Sequence, residues 1–143
     1  MPKINPYLNF DGTAEEAFLF YKSIFGGEFH GPIFKMGGVP GSEALSEEEK
    51  NRVMHIALPI GDNLVMASDV APSMGQTVSV GNNNYISVFT DSKEQADEYF
   101  AKLSDGAEIE MPMEDQFWGD YFGSLKDRFG VNWMLNFNVE NPI

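Results

Sequence analysis

The amino-acid sequence predicts an α+β fold built from two tandem βαβββ modules, residues 1–69 and 84–143, joined by a linker over residues 70–83. Two helices with the same apolar spacing, a β-rich run before each, and further strand patterns after each lead to that prediction. The helices repeat at a constant separation of 79 residues: Ala17 and Ala96, Phe20 and Tyr99, Tyr21 and Phe100, Ile24 and Leu103, then Gly27 and Gly106. Phe10 and Phe89 stand at the same separation. A fixed period of this kind marks a repeated supersecondary unit.

The first strand is expected over 4–10 and the first helix over 13–25, where Ala17, Phe20, Tyr21, Ile24 and Phe25 share one face. Thr13 and Glu16 have the spacing of a capping box, and Gly26-Gly27 supplies a positive-φ stop. Strands over 28–36, 52–60 and 63–68 complete the first module, with Gly61-Asp62 as a hairpin turn. The second module repeats the plan with a strand over 85–90, a helix over 92–103 capped by Asp91 and Glu94, and strands over 107–113, 121–126 and 132–138. Matching Gly61 to Gly130 gives an offset of 69, which leaves the first module 10 extra residues within 36–52. That stretch, MGGVPGSEALSEEEKNR, is expected to be a mobile loop carrying one short helix opened by Ser46 and Glu49, with Glu47 to Glu49 as a solvated acidic run. Pro72, Gly75, Gly81 and Asn82-Asn83-Asn84 mark the link between modules.

Composition narrows the functional classes. Hydrophobic residues make up 43% of the 143 positions, including 12 Phe, enough for a packed core and too many for a disordered chain. The formal charge of -13 would repel phosphate backbones and anionic lipid, so neither nucleic acid nor a membrane surface is expected as a partner. With no Cys there is no disulfide, thiolate zinc site or cysteine nucleophile, and two His are too few for a His-rich metal cluster. No apolar run approaches the about 20 residues of a membrane span, and residues 1–9 lack a basic region followed by an apolar stretch. The cytoplasm is the expected location.

The blocks PYLNFDGTAEEAFLFYKSIFGGE at 6–28, VMHIALPIGDNLVMASD at 53–69 and MPMEDQFWGDYFGSLKDRFGVNWMLN at 111–136 resemble the PhnB-like subfamily of the vicinal oxygen chelate superfamily, whose other members include glyoxalase I, extradiol dioxygenases, and bleomycin- and fosfomycin-resistance proteins. The resemblance spans the chain. It implies a glyoxalase/bleomycin-resistance-like fold with curved mixed β-sheets, each a half-open cup, the cups facing one another in a homodimer or across the halves around a small-molecule pocket. Metal-dependent members bind one divalent cation through a His or Gln near the start of each first strand and a Glu on each last strand. Counting from the helix and turn landmarks brings those positions to Asn5, Asn84, Val65 and Met134, and a shift of one either way recovers neither His nor carboxylate. Amide oxygens bind hard cations without charge, so no tightly bound metal and no other cofactor is expected. Relatives in this subfamily are often described as methyltransferases, yet the sequence shows neither a glycine loop opening a helix after a strand nor an acidic ribose partner.

Strand alternation places Val53, His55 and Ala57 on one face, and sends Tyr7 and Asn9 away from the helix side taken by Leu8 and Phe10. His55 is therefore a candidate general base or anion ligand, against the alternative of a structural hydrogen-bond partner. Asp69, with Ser68 at the end of its strand, is a candidate acid–base partner or a turn cap. Gln116, Phe117, Trp118, Asp120 and Tyr121 mix aromatic and hydrogen-bonding groups as small-ligand walls do, although a dimer interface or core strand would use the same residues. Three functions compete: a metal-independent small-molecule binding protein, an enzyme using His55 with Asp69 or Asp120, and an interaction module whose 69–84 arm clasps its twin.

Overall fold

A computed structural model describes residues 2–138. The chain divides into two compact units, residues 1–79 and 80–143. The first contains β1 (Tyr7–Phe10), α1 (Ala14–Phe25), β2 (Phe34–Lys35), α2 (Glu47–Lys50), β3 (Val53–Ile60) and β4 (Asn63–Asp69). The second contains β5 (Ile86–Phe89), α3 (Lys93–Leu103), β6 (Glu108–Asp115), β7 (Tyr121–Lys126) and β8 (Asn132–Phe137). Each sheet has four strands, in the orders β1-β4-β3-β2 and β5-β8-β7-β6. In both, the first strand runs parallel to the last and the others pair antiparallel, which is the βαβββ topology twice over.

Alternation and burial divide each sheet into a face packed under its helix and a far face. In the first unit Phe10, Val65, Ala67, Ile56 and Leu58 are buried beneath α1, whose own buried side comprises Ala14, Ala17, Phe18, Tyr21 and Ile24. The rings of Phe10 and Phe18 meet edge to face at 6.3 Å, the arrangement the ring quadrupoles favour. In the second unit Trp133, Leu135 and Leu125 are buried, and Gly123 lies so near α3 that a Cβ there would fall 3.0 Å from the Phe100 ring.

Several local expectations need correction. Thr13 makes no side-chain cap to α1. Its place is taken by Asp69 at the end of β4, whose Oδ1 accepts from the backbone N–H of Gly12 (2.9 Å) and Ala14 (3.0 Å). A helix start needs acceptors for its free N–H groups, and a buried carboxylate delivered by the parallel neighbour strand serves as well as a local hydroxyl. The cap of α3 is Ser92 rather than Asp91: its Oγ accepts from Gln95 N, while Gln95 Oε1 accepts from Asp91 N. The strand expected over 28–36 shrinks to Phe34–Lys35 because Gly31 takes a φ of 76° and Pro32 has no N–H to give a ladder. One backbone bond, His30 N to Ala57 O, still holds that segment beside β3.

The 79-residue repeat survives in the helices and fails in the strands. Phe10 is 3% exposed under α1, whereas Phe89 is 42% exposed on the far face of its sheet. A one-residue slip turns every strand side chain over, and that slip separates β1 from β5. The anchor of Gly61 on Gly130 fails for a related reason: β3 and β4 join through the two residues Gly61 and Asp62, but β7 and β8 through the five residues 127–131. Val65 and Met134 consequently lie on opposite kinds of face, Val65 under α1 and Met134 on the far side.

The 36–52 segment is more structured than a loop with one helix. It holds two single 3₁₀ turns, Met36–Gly38 and Ser42–Ala44, before α2. Ser46 Oγ accepts from Glu49 N as expected, but the Glu49 carboxylate turns to Ser73 in the linker, accepting from its backbone N–H at 3.0 Å and from its hydroxyl. Arg52 adds a second clasp, donating to Asp11 Oδ1 (2.7 Å) and to Val70 O (3.0 Å). The Ser73 hydrogen bonds, with help from the Arg52 charge, hold the Glu49 pKa below its ordinary 4.5. A carboxylate whose native pKa is depressed contributes stability that is full above the ordinary value and lost as pH falls through the native one. Between about pH 6 and about pH 3, urea midpoints should therefore fall less steeply for Glu49→Gln than for the unaltered protein.

Candidate functional site

On the far face of the first sheet the side chains at ladder positions stand side by side. Tyr7 pairs with Met66 and Asn9 with Ser68 across the parallel ladder, Met66 pairs with Ala57, and Phe34 of β2 pairs with His55. The Tyr7 and His55 rings lie 6.1 Å apart at 33°. Tyr7 and Phe34 are 48% and 54% exposed, and Phe34 joins this row through its ladder pairing with His55. None of the side chains of Tyr7, Asn9, His55 and Ser68 has a hydrogen-bond partner among the described residues. None of these four residues is buried, so their polar atoms are open to water or to a ligand. Alternation points to Tyr7, Asn9 and His55 and the strand end to Ser68, but neither points to Phe34, because a two-residue strand has no period to read.

Asp69 is placed differently. Its Oδ1 holds the start of α1 and its Oδ2 accepts from Val53 N at 2.8 Å, so three backbone donors converge on one buried carboxylate. It lies on the α1 side of β4, across the sheet from Ser68 and His55. Its geometry is that of a structural anchor for two elements rather than a partner for the imidazole.

The residues of the β6–β7 turn form a network in the second unit. Trp118 Nε1 and Asn136 Nδ2 both donate to Asp120 Oδ2, at 2.7 and 3.2 Å, and Asn138 Nδ2 donates to Oδ1. These bonds, led by those from Asn138 and Asn136, lower the Asp120 pKa below 3.8. Trp118 meets Phe117 and Phe122 edge to face, at centroid separations of 5.0 and 6.4 Å. Gln116 turns back on its own strand, donating to Glu114 O.

Tyr121 stands apart from that wall, on the α3 side. Its hydroxyl donates to Asp97 and its ring lies under Lys93. The hydrogen bond to Asp97, then burial, push its pKa up to about 12. Alkaline titration followed by phenolate absorbance should show one tyrosine ionising near that value, and Asp97→Asn should bring it back toward 10.0.

A family model described as 3-demethylubiquinone-9 3-methyltransferase matches residues 2–136. The chain belongs to that family. This places it in the PhnB-like branch of the vicinal oxygen chelate superfamily, and the solved structures agree. It is similar to protein PA1353 from Pseudomonas aeruginosa, with 34% identity over 96% of this chain and 98% of that one and a TM-score of 0.84. It is similar also to a PhnB protein from Bacillus cereus described as a putative 3-demethylubiquinone-9 3-methyltransferase, at 26% identity over 95% and 99% of the two chains and a TM-score of 0.74. A glyoxalase/bleomycin resistance protein/dioxygenase family enzyme from Burkholderia phytofirmans shares the fold at 16% identity, over 93% and 97% of the chains, with a TM-score of 0.57. Among the described residues of this PhnB-like protein, no helix is long and apolar enough to cross a membrane.

The family's description implies a methyl-donor cofactor, and the superfamily a divalent metal. Nucleotide-like cofactors are commonly taken by free N–H groups at a glycine-rich helix start. At α1 those groups are bonded to the Asp69 carboxylate, and a Cβ at Gly12 would fall 3.2 Å from the Arg52 guanidinium. The start of α3 is closed by Ser92 and Gln95. Neither helix start fits the group. For the metal, Asn5 Oδ1 already accepts from Leu64 N, Asn84 Nδ2 donates to Asn83, and Val65 faces α1. Among the described residues no three of His, Cys, Asp or Glu are gathered as a cation site, and the donors at these positions do not fit a divalent chelate.

Proposed function

We propose that this PhnB-like protein binds a small, planar, uncharged organic molecule on the far face of its first sheet, without a divalent metal. The observation that carries the reading is the constellation of Tyr7, Asn9, His55 and Ser68, four polar side chains with no hydrogen-bond partner among the described residues, with the exposed Tyr7 ring beside His55 and the exposed Phe34 paired to it on the next strand. Aromatic surfaces hold a planar ligand by stacking, and a few placed hydrogen-bonding groups set its orientation. The net charge of -13 favours a neutral guest over an anion. The family resemblance supports a homodimer as the working assembly.

A second reading makes His55 a proton acceptor for the bound molecule, because its half-buried imidazole lies beside Tyr7 and is pledged to no other group. It acts without Asp69 as its orienting carboxylate, since both Asp69 oxygens are engaged elsewhere.

The experiment is a thermal-shift screen of the dialysed protein against catechol, 4-hydroxyacetophenone and related neutral phenols, with Zn, Ni and Mn salts tested separately. A ligand at 100 times its Kd adds about 2.7 kcal/mol to native-state stability, or on the order of 5–10 °C for a chain of this size. Stabilisation by phenols in the presence of a chelator supports the reading. Stabilisation by metal alone contradicts it.

A further inference from the structure

The β6–β7 turn has an electrostatic imbalance that its own hydrogen bonds do not remove. Asp120 is held ionised by an indole N–H and two amide N–H groups, all neutral, and no Lys or Arg pairs with it among the described residues. Its negative charge is oriented and uncompensated in a chain that already carries a net charge of -13. Beside it, Asn136 is 8% exposed, and its Oδ1 is a buried acceptor with no hydrogen-bond partner. The amide orientation is fixed by the bond from Nδ2 to Asp120, so the empty acceptor and the charged carboxylate are neighbours. A buried unpaired acceptor calls for a donor.

The surroundings are aromatic. The Trp118 indole, 51% exposed, bonds to the same Asp120 oxygen as the Asn136 amide, with Phe122 and the 97% exposed Phe117 edge-on to it. Trp118 sits outside the strand ladders, in the short turn 116–120 that Gln116 N to Asp120 O (2.8 Å) and Gly119 N to Gln116 O (3.0 Å) close, with Gly119 at a φ of 103°. The electron-rich face of an indole attracts cations, Trp being the strongest of the aromatic side chains in this respect.

We infer that Trp118, Asp120 and Asn136 form a second binding site, selective for a protonated organic amine. The ammonium charge would lie against the Trp118 ring and the Asp120 carboxylate, one of its N–H groups would satisfy Asn136 Oδ1, and the organic part would rest on Phe117 and Phe122. The site uses residues and ligand chemistry different from those proposed for the first sheet, so the two stand or fall separately.

Fluorescence titration of the full chain tests it, since Trp133 is buried and Trp118 is the indole a ligand can reach. Benzylammonium at neutral pH and low salt should change the emission saturably, with benzyl alcohol binding at least about tenfold more weakly and 0.5 M salt weakening the amine. Asp120→Asn should cost the amine at least about tenfold and leave the alcohol unchanged. Equal affinity for amine and alcohol, or undiminished amine binding in a folded Asp120→Asn protein, would overturn the inference. Should Asp120→Asn fail to fold, Asn136→Leu, which keeps the carboxylate, decides: weaker amine binding is expected, and unchanged amine binding overturns the inference.

Discussion

Asp69→Ala is expected to lower the unfolding free energy by about 3–5 kcal/mol, a large part of the about 5–15 kcal/mol available to a domain of this size. The side chain is 4% exposed and accepts from Gly12 N, Ala14 N and Val53 N, which joins β4 to the start of α1 and to the start of β3. Truncation leaves three backbone donors buried or half-buried with no acceptor, and such groups cost the full penalty of their lost hydration. Asp69→Asn retains one acceptor oxygen and should lose roughly half as much. Urea denaturation of both variants measures the difference, and an Ala variant within about 0.5 kcal/mol of the parent would show that the three bonds contribute little.

The largest effect on binding is expected from Tyr7→Ala combined with His55→Ala. The two rings are 6.1 Å apart on the same face, one supplying a stacking surface with a hydroxyl and the other an unpartnered imidazole. Losing both should weaken phenol binding by at least about 100-fold, equivalent to about 2.7 kcal/mol. Because the residues touch one ligand, the single changes should not sum to the double. Both side chains are partly exposed, so stability should change far less than in Asp69→Ala.

What was legible in the sequence depended on how locally each feature is determined. Ala17, Tyr21, Ile24 and their counterparts Ala96, Phe100 and Leu103 have the helix period and are buried as that period requires. The far-face placement of Tyr7, Asn9 and His55 follows from alternation within single strands. The cap of α1 was hidden because its acceptor, Asp69, is 55 residues from Ala14 in sequence. Phe34 was overlooked because it joins the site through its pairing with His55, a relation no local pattern records. The position of Tyr121 could have been found: it alternates with Gly123 and the buried Leu125, while Phe122 alternates with Ser124 on the other side.

The repeat shows the same limit from another direction. A helix tolerates reading by a count of residues because its contacts recur along its own length. A strand takes its meaning from its neighbour, and one residue gained or lost between β1 and β5 exchanges a core phenylalanine for an exposed one. Ligand positions carried across the modules by counting inherit that slip, as Val65 and Met134 do.

A ligand held on the far face of the first sheet without a metal would perturb a defined set of backbone amides. Backbone amide NMR of the uniformly labelled protein, treated with EDTA and titrated with catechol, tests such binding most directly. Saturable shifts concentrated at Tyr7, Asn9, His55, Ser68 and Phe34 are expected. Shifts that arise only after Zn, Ni or Mn is restored, or that leave those five residues unmoved while the phenol binds, would contradict it.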